Sequence, residues 1–264
     1  MSVPSTSVGR GTFTPRPGAA TTASMVASQA RMEIRLLLRN GEQVVLSIVI
    51  PMLALVGGAV AANRLGIGGA RPIDVLTPGV LALAILSTSF TSLAIGTGFE
   101  RRYGVLKQLG VTPLPRAGLL AGKILSLLTV QLCQLALICV VAAALGWRPV
   151  LTPATVVAAV ALWWSGSAAF AAWALLIAGT LRAEATLALA NLVFVLLLAG
   201  GAVLAPATTY GPAAGLVRAL PSGALAEGLR DALRHGRVDG VAIVVLLVWA
   251  AVGSVATSRM FRWE

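Results

Sequence analysis

Charge is what this sequence has least of. Only 11% of its 264 residues are Asp, Glu, Lys or Arg, against about 25% in soluble domains. That is too few to cover a water-facing surface. Acidic residues are the scarcest, nine against twenty basic ones. Histidine occurs once, as His235, and cysteine twice, as Cys133 and Cys139. So small a set offers no His pair for haem or zinc and no Cys cluster for a metal. The two thiols sit in one apolar run at a spacing that turns them to different helix faces. They read as small packing residues, neither a disulfide nor a ligand pair. There is no HExxH and no nucleophile beside a base, which argues against an enzyme.

What is present is apolar. Hydrophobic residues make up 58% of the chain, and the mean hydropathy is +0.90. Six stretches of 18 residues or more carry no charge: 43–63, 75–99, 124–147, 149–181, 185–217 and 240–258. A spanning helix needs roughly 20 apolar residues. A charge at its centre costs roughly 2.5 to 3.5 kcal/mol, so charge-free runs are the ones that insert. Rich in Leu, Ala and Val and without period-two alternation, they predict helices, not barrel strands. The expected fold class is an all-α membrane protein with six transmembrane helices.

The net charge of +11 does not indicate nucleic acid. Its basic residues flank the apolar runs, the positive-inside pattern. With the N-terminus inside, thirteen of the twenty basic residues fall in inner segments. Both termini are therefore expected in the cytoplasm of a multi-pass cell-membrane protein. Residues 1–23 are rich in Ser, Thr, Pro and Gly, with two Arg and no apolar core. They predict a disordered cytoplasmic tail, not a cleavable leader.

Residues 24–41 predict an interfacial amphipathic helix capped by Ser24. Arg31, Arg35 and Arg39 form one basic row beside Met32, Leu36, Leu37 and Leu38, a pattern suited to anionic lipid. The six-helix domain covers 42–258, with an inner loop at 100–117, an outer segment at 205–240 and a cytoplasmic tail at 259–264. Gly118 and Gly122 allow close helix approach at the start of span three. The run 185–217 is too long for one span and too short for two, so residues 206–220 are expected to dip back into the outer leaflet. Pro221 and Ser222 then open a helix with Leu225, Leu229 and Leu233 on one side, and with Glu227, Arg230, Asp231, Arg234 and His235 on the rest.

The inner segment from Gly98 to Arg116 predicts a short helix opened by Glu100 at its positive end. Val105, Leu106 and Leu109 give it an apolar patch, and Pro113 and Pro115 close it. The stretch Phe99-Glu-Arg-Arg-Tyr-Gly-Val-Leu-Lys-Gln-Leu-Gly-Val-Thr-Pro-Leu-Pro-Arg, running on to Ala121-Gly122-Lys123, resembles the first inner loop of type-2 ABC exporter permeases. Val105 stands where that family usually has Thr. The resemblance extends over roughly residues 24 to 260, and the daunorubicin- and drug-exporter branch is the one it is most similar to. It implies that Glu100, Arg101, Arg102, Tyr103, Gly104, Val105, Leu106, Lys107 and Leu109 form a coupling loop seated on a separate cytoplasmic P-loop ATPase. It implies two permease copies, identical or related, moving an amphipathic or hydrophobic cargo outward. ATP and Mg would be bound by the partner. In this sequence the closest approach to a phosphate loop, Gly118 to Lys123, is one residue short and continues with Ile124.

Polar residues inside the spans are candidates for a transport path: Thr88 and Ser92, flanked by Ser89 and Thr91, then Gln131, Gln134 and Asn191. Interhelical hydrogen bonding is the competing reading of each. Trp163, Trp164 and Trp173 read as packing or lipid-facing residues. Apart from Lys123 near an inner end, the spans hold no ionisable group, which disfavours ion coupling. A channel, an ion-independent carrier or a structural membrane subunit stays open as the alternative.

Overall fold

The computed structural model describes residues 20–39, 41–65, 71–109 and 115–261. Among these residues there are helices and turns and no strand. Most of the expected N-terminal tail, the stretch through Pro113, and the side chains of Leu37, Leu38, Leu106 and Leu109 lie outside the description.

Helix α1 spans Thr22–Arg39 and α2 spans Gly41–Leu65. Helix α3 runs Pro72–Arg102, with a π-helical stretch at Ser87–Ser92. A short α4 follows at Val105–Leu109, then α5 at Arg116–Ala144, α6 at Pro153–Thr180 and α7 at Ala183–Gly200. The outer segment comprises a 3-10 helix at Ala207–Ala213, α8 at Ala214–Ala219 and α9 at Pro221–His235. Helix α10, Gly240–Met260, is the last.

Five of these, α3, α5, α6, α7 and α10, are long and apolar enough to cross a membrane. Among the described residues the apolar part of α2, Ile48–Ala62, is shorter than these five. The charge-free runs thus locate the helices well, and the chemistry of their ends explains where they start. Thr152 and Thr155 form a reciprocal cap on α6, with Pro153 in the first turn. Asp239 accepts from the amides of Val241 and Ala242 to open α10. Pro221 opens α9, as the sequence predicts. At α1 the cap is one turn earlier than expected: the Ser24 amide donates to Thr21 Oγ1 at 3.4 Å.

Helix α3 is the axis of the bundle. It packs against α2, α5, α6, α7 and α9, and α6 lies along α10. Its core residues from Val80 to Leu86 are buried, together with Phe90, Leu93, Ile138, Leu162, Phe170, Leu225 and Leu246. Helix α7 touches mainly the inner half of α3 and leaves Leu192, Val195 and Leu196 exposed. At 31 residues and 1.5 Å per residue, α3 is about 46 Å long. A hydrocarbon core of roughly 30 Å cannot contain it, so one end must project.

Two expectations are corrected here. The inner helix does not begin at Glu100; α3 continues through Arg102 and breaks only at Tyr103 and Gly104, where Gly104 has φ +71°. Glu and Arg are good helix formers, so charge ends the apolar run without ending the helix. Glu100 therefore lies in the last turn of α3, the negative end of the dipole, where a carboxylate needs a compensating cation. At the other end, the fifth span, expected over roughly Thr186 to Leu204, ends sooner: α7 stops at Gly200. Residues 201–206 leave helical geometry and fold back toward α9.

Candidate functional site

The C-terminal end of α3 gathers charge from four elements. Lys123 on α5 places its Nζ 2.7 Å from Glu100 Oε1 and 3.4 Å from Glu33 Oε1 of α1. The Gln29 amide donates to Glu33 Oε1 at 3.1 Å. These helices meet closely because residue 122 has no side chain: a Cβ on Gly122 would fall 2.7 Å from Gln29 Cγ. Next in sequence, Arg101 donates to the carbonyl of Leu181 at the α6–α7 turn. Arg102 pairs with Glu184 at the start of α7.

Beyond this knot the chain faces outward. Tyr103 is 68% exposed, stacked on Phe99, with the Arg102 guanidinium over its ring. Lys107 and Gln108 on α4 are exposed, and Gly104 and Val105 are half-buried. The residues anticipated as one loop thus divide in two. Glu100 and Arg101 are turned into the protein, Arg102 pairs with Glu184 at the surface, and Tyr103 and Lys107 are turned away from it.

On α1, Arg31, Arg35 and Arg39 are exposed, with Met32 and Leu36 exposed beside them. The packed side, through Gln29 and Ala30, lies against α5.

The polar residues inside the spans form a connected set. Gln131 is fully buried. Its amide nitrogen donates to Ser89 Oγ at 2.6 Å and to the Ile85 carbonyl at 3.3 Å. Its oxygen accepts from Trp163 Nε1 and Ser167 Oγ, both at 2.9 Å. Thr88 donates to Gln134 Oε1 at 2.9 Å. Together these bonds pin the π-helical stretch of α3 to α5 and α6, at the place where a π turn disturbs the backbone ladder. Ser92 is half-buried on the same stretch, and Asn191 is exposed on α7. Trp164 is exposed, and Trp173 donates to the Trp249 carbonyl at 3.1 Å. Beside Gln131, toward the N-terminal end of α3, a crevice of about 520 Å³ opens, lined by Ile85, Leu135, Trp147, Trp163, Leu229 and Leu233 among other apolar residues.

A second charged knot lies at the opposite end of the bundle, where α9 meets the segment after α7. Arg230 is 3% exposed. It donates to Glu227 at 2.6 Å and to the carbonyls of Ala202, Val203 and Val75 at 2.6, 2.8 and 3.4 Å. Glu227 also accepts from the Ala207 amide at 3.2 Å and faces Arg218 at 3.5 Å. Burial lowers the Arg230 pKa from its ordinary value and the Glu227 carboxylate opposes that shift; arginine stays charged at neutral pH. The sequence reading placed these two residues on the polar side of α9. They are instead buried, because the carbonyls freed where α7 unwinds need donors. The available signal was the Glu-x-x-Arg spacing, which sets both on one helix face.

Among the described residues no group of His, Cys, Asp and Glu is arranged to hold a metal. A family model described as "ABC-2 family transporter protein" matches residues 70–258, well over half of the chain. No curated protein matches it.

Proposed function

We propose, from the premise that the chain belongs to the ABC-2 transporter family, that it is an export permease driven through its inner loop. As a member it is the membrane subunit of an ATP-binding cassette transporter, a multi-pass protein that works with an ATP-binding subunit. The family match is the observation that carries the reading.

In the finer reading, α2 is the sixth span, the termini are cytoplasmic, and residues 206–220 re-enter the outer leaflet. The positive-inside bias supports that orientation. It puts the projecting end of α3 and the exposed Tyr103 and Lys107 on the side where ATP is found. The loop around Glu100 to Leu109 then docks the ATPase pair, which holds ATP and Mg. Arg31, Arg35 and Arg39 hold α1 on anionic lipid. Two permease copies form the path, with Asn191 on the exposed face of α7 available to it. An amphipathic or hydrophobic cargo, a drug or lipid, is supported by the apolar crevice beside the Gln131 set.

The test is affinity purification from gently solubilised membranes. A P-loop ATPase is expected with the wild type and is expected to be lost with Tyr103→Ala combined with Lys107→Glu, at unchanged permease yield. Absence of any ATPase from intact membrane complexes would remove the reading.

A further inference from the structure

The inner knot holds more than a docking loop needs. Three consecutive residues at the end of α3 reach three different neighbours: Glu100 meets Lys123 of α5, Arg101 meets the α6–α7 turn, and Arg102 meets α7. Through Lys123 the connection reaches Glu33 of α1. The trio is withdrawn from water, with Glu33, Lys123 and Glu100 side chains 12%, 13% and 25% exposed. A surface meant for a partner would leave these groups free; here they are used within the chain.

The trio is also incompletely satisfied. Two carboxylates share one ammonium, so one negative charge is in excess. Glu100 Oε2 and Arg101 Nη1 are both buried without a hydrogen-bond partner. Such atoms cost free energy, so the corner depends on the ion pairs it does make.

We propose that the Glu33–Lys123–Glu100 trio is a positioning device that makes α1 and the inner ends of α3 and α5 move as one body when the inner loop is pushed. Arg101 and Arg102 extend that body to the α6–α7 turn, and Tyr103 and Lys107 are what the ATP-binding subunit touches. This rests on the reading of residues 100–109 as the docking loop. Glu33 enters as a residue that neither composition nor motif singled out.

The experiment uses the full permease with its ATPase, in a background with Cys133→Ala and Cys139→Ala. Spin labels are placed at Ser28 on α1 and Arg182 in the α6–α7 turn, both exposed and outside the trio and the docking residues. Labelled chain is diluted with unlabelled chain, and the distance is read before and after trapping with ATP, Mg and vanadate. In the wild type one narrow distance is expected, unchanged by trapping. Glu33→Gln and Lys123→Met are expected to keep the ATPase bound but to lose that invariance, the distribution broadening and shifting on trapping. The triple inversion Glu33→Lys, Glu100→Lys, Lys123→Glu is expected to restore it.

Glu33→Gln is nearly isosteric, so the result does not depend on a variant that fails to fold. The proposal is overturned if the variants keep the invariant distance, if they release the ATPase, or if the wild-type distance itself moves on trapping. A wild type that brings down no ATPase fails before any variant is made, and then the docking reading falls and takes this one with it.

Discussion

The two charged knots of this protein solve one problem in opposite ways. The outer one buries Arg230 against Glu227 and three backbone carbonyls, and Glu227 in turn takes the Ala207 amide. The inner one surrounds Lys123 with two carboxylates and leaves Glu100 Oε2 and Arg101 Nη1 without partners. A buried charge with a full set of partners is rigid, and removing one member strands the others. A buried cluster with open valences loses less when one member is removed. The difference separates a corner held by saturating every partner of one buried charge from a corner in which a few ion pairs tie separate helices together.

The sharpest way to break the comparison is Arg230→Met. It strands Glu227 and the carbonyls of the unwound segment, and the expected loss is about 3–5 kcal/mol, read as a large fall in the thermal unfolding midpoint of detergent-solubilised protein. Lys123→Met should cost less, about 1–3 kcal/mol, because the site is already short of partners, so fewer bonds are lost with the ammonium. If the two losses were equal, the inner knot would be as locked as the outer one. The smallest effect should come from Arg102→Ala, whose pair with Glu184 is half-exposed. A loss of at most about 1 kcal/mol is expected, and a larger one would mean that the α3–α7 contact belongs to the core.

Much of the architecture was legible before the structure. The charge-free runs at 75–99, 149–181 and 240–258 fall on α3, α6 and α10 with ends displaced by only a few residues. Pro221 marked α9, and the Arg row marked the open side of α1. What could not be read was anything that depends on where a helix goes after it leaves lipid. Hydropathy reports the solvent around a side chain, not the backbone, so it placed Glu100 at a start when it stands near an end. The trio joins residues 33, 100 and 123, which no local pattern connects. Glu227 and Arg230 looked solvent-facing because charge is the usual sign of solvent, and only the carbonyls freed at 201–206 make them internal.

The π-helical stretch at Ser87–Ser92 has a consequence for timing. A helix advances about 100° per residue, and a π turn holds one residue more than an α turn. Everything below it on α3 is therefore out of phase with everything above by about that angle. Were the extra residue drawn back into regular helix, the inner half would rotate like a cam, and the elements tied to it through Glu100 and Arg101 would be driven with it. The hydrogen bonds from Gln131 to Ser89 and the Ile85 carbonyl thus set, from mid-bundle, the dial on which the inner face is read.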